Sequence, residues 1–128
     1  MSVQAYQTSL SRAENPRQTE YRLLGQVTQA LMEAQSFDRY EFSRLAKVLD
    51  WNRRVWSAFA TDCAMESNNL PDSLRAGIIS LSIFVSKHSG AVLRSGAEID
   101  PLIDINKMIM QGLEQSAANA AAAQHSAA

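Results

Sequence analysis

Residues 70–94, LPDSLRAGIISLSIFVSKHSGAVLR, hold the feature that most limits the folds open to this chain. Ile78, Val85 and Val92 recur at seven-residue spacing, with Leu74, Leu81 and Phe84 beside them. Ile79, Ile83 and Ala76 carry the apolar surface further round. A helix apolar over most of its circumference needs neighbours on several sides. Burying about eight such side chains stabilises by roughly 1.5–3 kcal/mol each, and ordering each residue costs about 1–2 kcal/mol. The segment therefore cannot stand alone, and the pattern predicts that the rest of the chain wraps it. Pro71 suits the first turn, where its missing N–H has no helical partner to lose, with Asn69 or Leu70 as cap. Ser95-Gly96 supplies a stop, and Gly90 offers one a turn or more earlier.

The flanking sequence supplies helices to do the wrapping. Asn15-Pro16-Arg17-Gln18 reads as a helix start, and Tyr21, Leu24, Thr28, Leu31 and Gln35 then share a face, with Leu23, Val27, Ala30 and Ala34 beside it. Asp38 and Glu41 form an acidic start for a second helix, with Phe42, Leu45, Ala46 and Leu49 on its apolar face. From Asp50 the pattern shifts to Trp51, Val55, Ala58, Phe59 and Met65, with Trp56 offset. One bent helix and two abutting ones both satisfy this, and two with a joint at Asp50 is the preferred reading. Asp100-Pro101 opens a last helix carrying Leu102, Ile105, Ile109 and Leu113. The expectation is an all-α, single-domain bundle of four or five helices around a central buried helix at about 71–94. Residues 1–14 are read as an N-terminal arm, 15–115 as the helical domain, and 116–128 as an Ala-rich disordered or frayed tail with nothing to pack.

Composition narrows function more by exclusion than by indication. A net charge of −1 argues against broad nucleic-acid or membrane binding by charge alone. No stretch reaches the roughly 18 uninterrupted apolar residues of a membrane span, because Ser80, Ser82, Ser86 and Lys87 interrupt the best candidate. The single Cys63 excludes an internal disulfide and fits a reducing, cytoplasmic compartment, and the N-terminus carries no apolar run of signal length. His88 is the only histidine outside the tail, so a histidine metal site or base–nucleophile relay lacks parts. It reads as a core-edge histidine late in its helix. Cys63, beside Asp62, reads as a small buried filler and not an activated thiolate. Asp100 and Asp104 read as a cap and a solvated position. There is no Gly-rich phosphate loop, HExxH or CxxC. No catalytic, cofactor-binding or metal residue is expected, and no small-molecule substrate.

Trp51-Asn52-Arg53-Arg54-Val55-Trp56 stands out instead, since tryptophan and arginine are enriched at binding hot spots. Trp56 lies five residues, about 180° on a helix, from Trp51. One core face does not easily hold both, so Trp56 either meets a second packed neighbour or faces a partner. Residues 39–54 carry Arg39, Arg44, Lys47, Arg53 and Arg54 against Glu41 and Asp50. The last helix region carries Glu98, Asp100, Asp104 and Glu114 against Lys107. The two stretches read as complementary or simply solvated, or as a basic-aromatic patch for an acidic amphipathic segment or RNA.

Several ordered pieces carry a family resemblance: Ala5-Tyr6-Gln7, Asn15-Pro16-Arg17 with Glu20-Tyr21, and Asn52-Arg53-Arg54-Val55-Trp56. Leu70-Pro71 through Leu74-Arg75-Ala76 and Ser80-Leu81 follow, then Phe84-Val85, and finally Leu102-Ile103-Asp104-Ile105-Asn106-Lys107 through Gly112-Leu113. From about residue 5 to 113 the sequence resembles the FlaF family of bacterial flagellar biosynthesis regulators. The resemblance implies a non-enzymatic cytoplasmic protein that binds flagellin as a secretion chaperone and supports its synthesis and export. It also implies FlbT, the regulator linked to flagellin mRNA, as a further partner. The alternative is post-transcriptional regulation by binding flagellin mRNA, directly or through FlbT; direct RNA contact takes second place because the net charge is near zero. The residues expected to contact a partner are Asn52, Arg53, Arg54, Trp56 and Arg75.

Overall fold

The computed structural model describes residues 16–127, over which the chain forms four α-helices and no strand. They are α1 (Pro16–Ala34), α2 (Phe42–Cys63), α3 (Asp72–Ser95) and α4 (Asp100–Ala127). A single 3-10 turn, Arg39–Glu41, leads into α2. The arm expected over residues 1–14, and Asn15 as the first cap, lie outside the described residues.

Chain punctuation sets the helix ends. Asp38 accepts from the Tyr40 N–H at 2.8 Å, while Glu41 reaches back to the Asp38 N–H, closing a capping box. Pro71 sits at the cap of α3 in an extended conformation, one position ahead of the first turn, and Asp72 opens the helix. Gly96 ends it at φ 67, a left-handed conformation that a Cβ would strain, and the Ala97 N–H turns back to the Ala91 carbonyl. The stop at Ser95-Gly96 is therefore the one used, and Gly90 stays helical.

The helices pack as a ring in chain order: α1 on α2, α2 on α3, α3 on α4, and α4 back on α1. Short links make consecutive helices antiparallel. Leu24 and Leu31 of α1, Leu49, Trp56, Phe59 and Cys63 of α2, Ile78, Val85 and Val92 of α3, and Leu102, Ile103, Ile109 and Leu113 of α4 form one buried apolar cluster. The expected all-α bundle is the fold.

Three details differ from the sequence reading. First, the ring has no central helix. α3 buries only the seam Ile78, Val85, Ser89 and Val92, leaving Ile79, Ile83 and Phe84 exposed. Four amphipathic stripes fill the core jointly, so none has to be enclosed by the others. Second, α2 is continuous through Asp50, because neither glycine nor proline breaks its hydrogen-bond ladder there. Asp50 sits on the surface, paired with Arg53 at 3.1 Å and Arg54 at 2.9 Å. Third, α4 runs on to Ala127, where a frayed or disordered tail was expected. Nucleating a helix is the costly step, and a packed helix already supplies the nucleus. Alanine then extends it at the lowest per-residue cost. The side chains from Ala117 to His125 are exposed.

Candidate functional site

The buried seam of α2 runs through Leu49, Asn52, Trp56, Phe59 and Cys63, alternating steps of three and four residues. Trp51, one residue off that seam, is 37% exposed, whereas Trp56 is 0% exposed. Of the two outcomes the sequence left open for Trp56, a packed neighbour inside the fold is the one found, and Trp51 is the tryptophan that reaches solvent. An indole in a closed core needs an acceptor for its N–H, and Asn106 of α4 supplies one: Trp56 Nε1 donates to Asn106 Oδ1 at 2.7 Å. Asn106 Nδ2 in turn donates to Asn52 Oδ1 at 2.8 Å and to Thr28 Oγ1 at 3.1 Å. The Thr28 hydroxyl donates to the Leu24 carbonyl at 2.5 Å. Asn52 and Trp56 are therefore internal members of a polar knot joining α1, α2 and α4. Neither presents surface to a partner, which corrects the sequence-based placement of both at a contact site. Asn52 Nδ2 has no hydrogen-bond partner among the described residues.

The three arginines of the expected site do reach the surface, on one pair of helices. Arg53 and Arg54 line a groove of about 880 Å³ between the outer faces of α2 and α3. Asp50, Ser57, Ala60 and Ala64 continue its α2 wall, and Ser82, Ile83, Ser86 and Lys87 form the α3 wall. A smaller concavity of about 350 Å³ shares Ala64 and extends the same furrow to Asp72, Arg75, Ala76 and Ile79. Ile79 and Ile83, four residues apart on α3, are the apolar rungs along it; Ile83 is 56% exposed.

Charge along this furrow is uneven. At one end Arg53, Arg54 and Lys87 face the single carboxylate of Asp50. At the other, Arg75 is largely committed to structure: its Nε donates to the Cys63 carbonyl at 2.8 Å and Nη2 to the Met65 carbonyl at 2.9 Å. Asp72 lies 3.6 Å from its Nη1. Arg75 thus satisfies carbonyls at the C-terminal end of α2 and leaves this end near neutral. Lys87 and Ile83 are not among the contact residues expected from the sequence, although Ile83 is read there as part of the apolar surface of its helix. The signal for them is that the heptad seam of α3 already suffices for a ring contact, so Ile79 and Ile83 are surplus to it.

A second hollow, of about 440 Å³, lies between α1 and α2, with Leu23, Val55 and Phe59 as floor and Glu20 and Asp62 at its edge. Arg17 bridges the two carboxylates, at 2.6 Å from Glu20 and 3.1 Å from Asp62, and Asn68 Nδ2 donates to Asp62 at 3.0 Å. Burial raises the Glu20 carboxyl to about 7; the Arg17 guanidinium pulls the other way and is outweighed, with the Asp62 charge adding to the rise. Burial likewise pushes the Cys63 thiol up to about 11, so it is a fully enclosed filler, not a nucleophile. His88 closes the turn after α3, with Nε2 at 2.6 Å from the Glu98 carbonyl and its ring stacked on Phe84 at 5.3 Å. Among the described residues no three His, Cys, Asp or Glu side chains gather to hold a metal ion. By length and a mean hydropathy of 1.4 alone, α3 could cross a membrane; here its seam is packed in the ring.

A family model described as "Flagellar protein FlaF" matches residues 2–113. No curated protein and no solved structure matches the chain.

Proposed function

The chain belongs to the FlaF family of flagellar proteins, and on that premise we propose that it is a non-enzymatic cytoplasmic chaperone that binds flagellin before export. The observation that carries this reading is the α2–α3 furrow, with exposed Ile79 and Ile83 set between basic side chains. A protein that polymerises outside the cell must be kept from doing so inside it. Covering an amphipathic segment of flagellin achieves this without chemistry. Direct recognition of flagellin mRNA is the weaker alternative, since Trp56, its best stacking platform, is enclosed in the core.

Size-exclusion chromatography with light scattering, on the full chain mixed with purified flagellin, tests the proposal. A complex of defined mass, dissociating in the micromolar range or below and suppressing flagellin polymerisation, is the expected result. Two separate peaks at tens of micromolar of each protein would reject it.

A further inference from the structure

We infer that the α2–α3 furrow takes a single amphipathic helix of flagellin lying parallel to α3, its acidic C-terminal half against Arg53, Arg54 and Lys87. This inference rests on the chaperone reading and adds which face is used and which way the bound segment points.

The dimensions come first. From Asp72 to Lys87 the furrow follows sixteen residues of α3, fifteen rises of 1.5 Å or about 22 Å, about four helical turns. Ile79 and Ile83 stand one turn apart along it, the spacing at which a facing helix places its own apolar side chains. A partner strand would find no free sheet edge here, since the described residues contain no strand.

Charge then fixes direction. The end lined by Arg53, Arg54 and Lys87 has three cations against Asp50, and Lys87 has no ion-pair partner among the described residues. The end at Asp72 and Arg75 is internally paired. A helix carries partial negative charge at its C-terminus and partial positive charge at its N-terminus. Its C-terminus is therefore favoured at the cationic end, and Asp or Glu side chains in its last turns reinforce the preference. Because α3 runs from Asp72 towards Lys87, the bound helix is parallel to α3 and antiparallel to α2.

Site-directed photo-crosslinking tests this on the full chain with purified flagellin. Benzophenone maleimide is placed at Ser86→Cys, beside the cationic end, and separately at Ala76→Cys, near the neutral end. Native Cys63 is enclosed and spared. Both probes should capture one flagellin segment, with the residues captured from position 86 lying C-terminal to those captured from position 76. Neutralising the cationic end in R53Q/R54Q/K87Q should weaken the complex about tenfold. A complex that forms with the opposite order, with unrelated segments or with unchanged affinity in the triple variant overturns the inference and leaves the chaperone reading standing. Absence of any flagellin complex, or crosslinks only between two copies of this chain, overturns both.

Discussion

Trp56 and Asn106 are hydrogen-bonded at 2.7 Å across the bundle, between α2 and α4, which are not neighbours in the ring. The Asn106 amide is fully committed, accepting from Trp56 and donating to Asn52 and Thr28. A polar network of this kind adds less net stability than an apolar core of the same volume, but it penalises any packing that breaks it. Asn106 therefore acts as a register pin for α1, α2 and α4.

Asn106→Leu should remove that pin while keeping side-chain volume. It strands the Trp56 N–H and the Asn52 amide, at about 1–3 kcal/mol for each buried group left unpaired. A lower urea midpoint, corresponding to about 2–6 kcal/mol for the two groups together, is expected. Thr28→Val should cost less, because Asn106 keeps its bonds to Trp56 and Asn52. Equal stability of the Asn106 variant and the parent would show that the knot carries no energetic weight.

The two tryptophans report on the core independently. In Trp51→Phe, emission comes only from the enclosed Trp56, so it should be blue-shifted and resist iodide quenching. In Trp56→Phe, emission comes from Trp51 and should be red-shifted and readily quenched. The second variant also loses stability, because Asn106 Oδ1 is then buried without its donor. Reversed quenching would contradict the seam through Leu49, Asn52, Trp56, Phe59 and Cys63.

That seam explains which parts of the fold were legible in the sequence. Ile78, Val85 and Val92 at heptad spacing, and Leu24, Val27 and Leu31 on α1, follow from apolar period alone. α2 was misread because its seam contains Asn52. A polar residue at a core position looks like a surface one until its partner is in place, and Asn106, which bonds Asn52, lies 54 residues further along the chain and 78 from Thr28, the other residue it bonds. Counting Trp51 as core then pushed Trp56 outward. Arg53 and Arg54 survive as surface residues on either reading. Their companions Ile83 and Lys87 depend on which helix pair is adjacent, and no single-helix pattern contains that information.

Stability should depend on pH through Glu20. Its carboxyl is raised to about 7 in the fold from an ordinary value near 4.5, so the folded state binds the proton more tightly than the unfolded chain. The sign follows: the contribution is fully present below about pH 4.5 and is lost as pH rises through about 7. After discounting for solvent screening, the loss is about 1–2 kcal/mol. Urea midpoints measured from pH 5 to pH 8 should fall more for the parent chain than for Glu20→Gln. Parallel profiles would mean that Arg17 fully compensates the buried charge.

Arg75 separates structural arginines from those available to a partner. Its guanidinium holds the Cys63 and Met65 carbonyls at the end of α2, so Arg75→Ala unties the α2–α3 connection and leaves the Cys63 carbonyl to a poorer environment. The expected cost is about 1–3 kcal/mol, as for other hydrogen bonds from a charged group. Arg75→Lys should recover only part of it, since a single ammonium cannot reproduce the two-carbonyl fork. Arg53→Ala and Arg54→Ala, whose partner is the surface carboxylate of Asp50, should each change stability by less than about 1 kcal/mol. Denaturation midpoints of the four variants decide the matter. If Arg75→Ala proves as mild as the other two, its carbonyl contacts contribute little, and its side chain becomes free to join Arg53 and Arg54 in holding a partner.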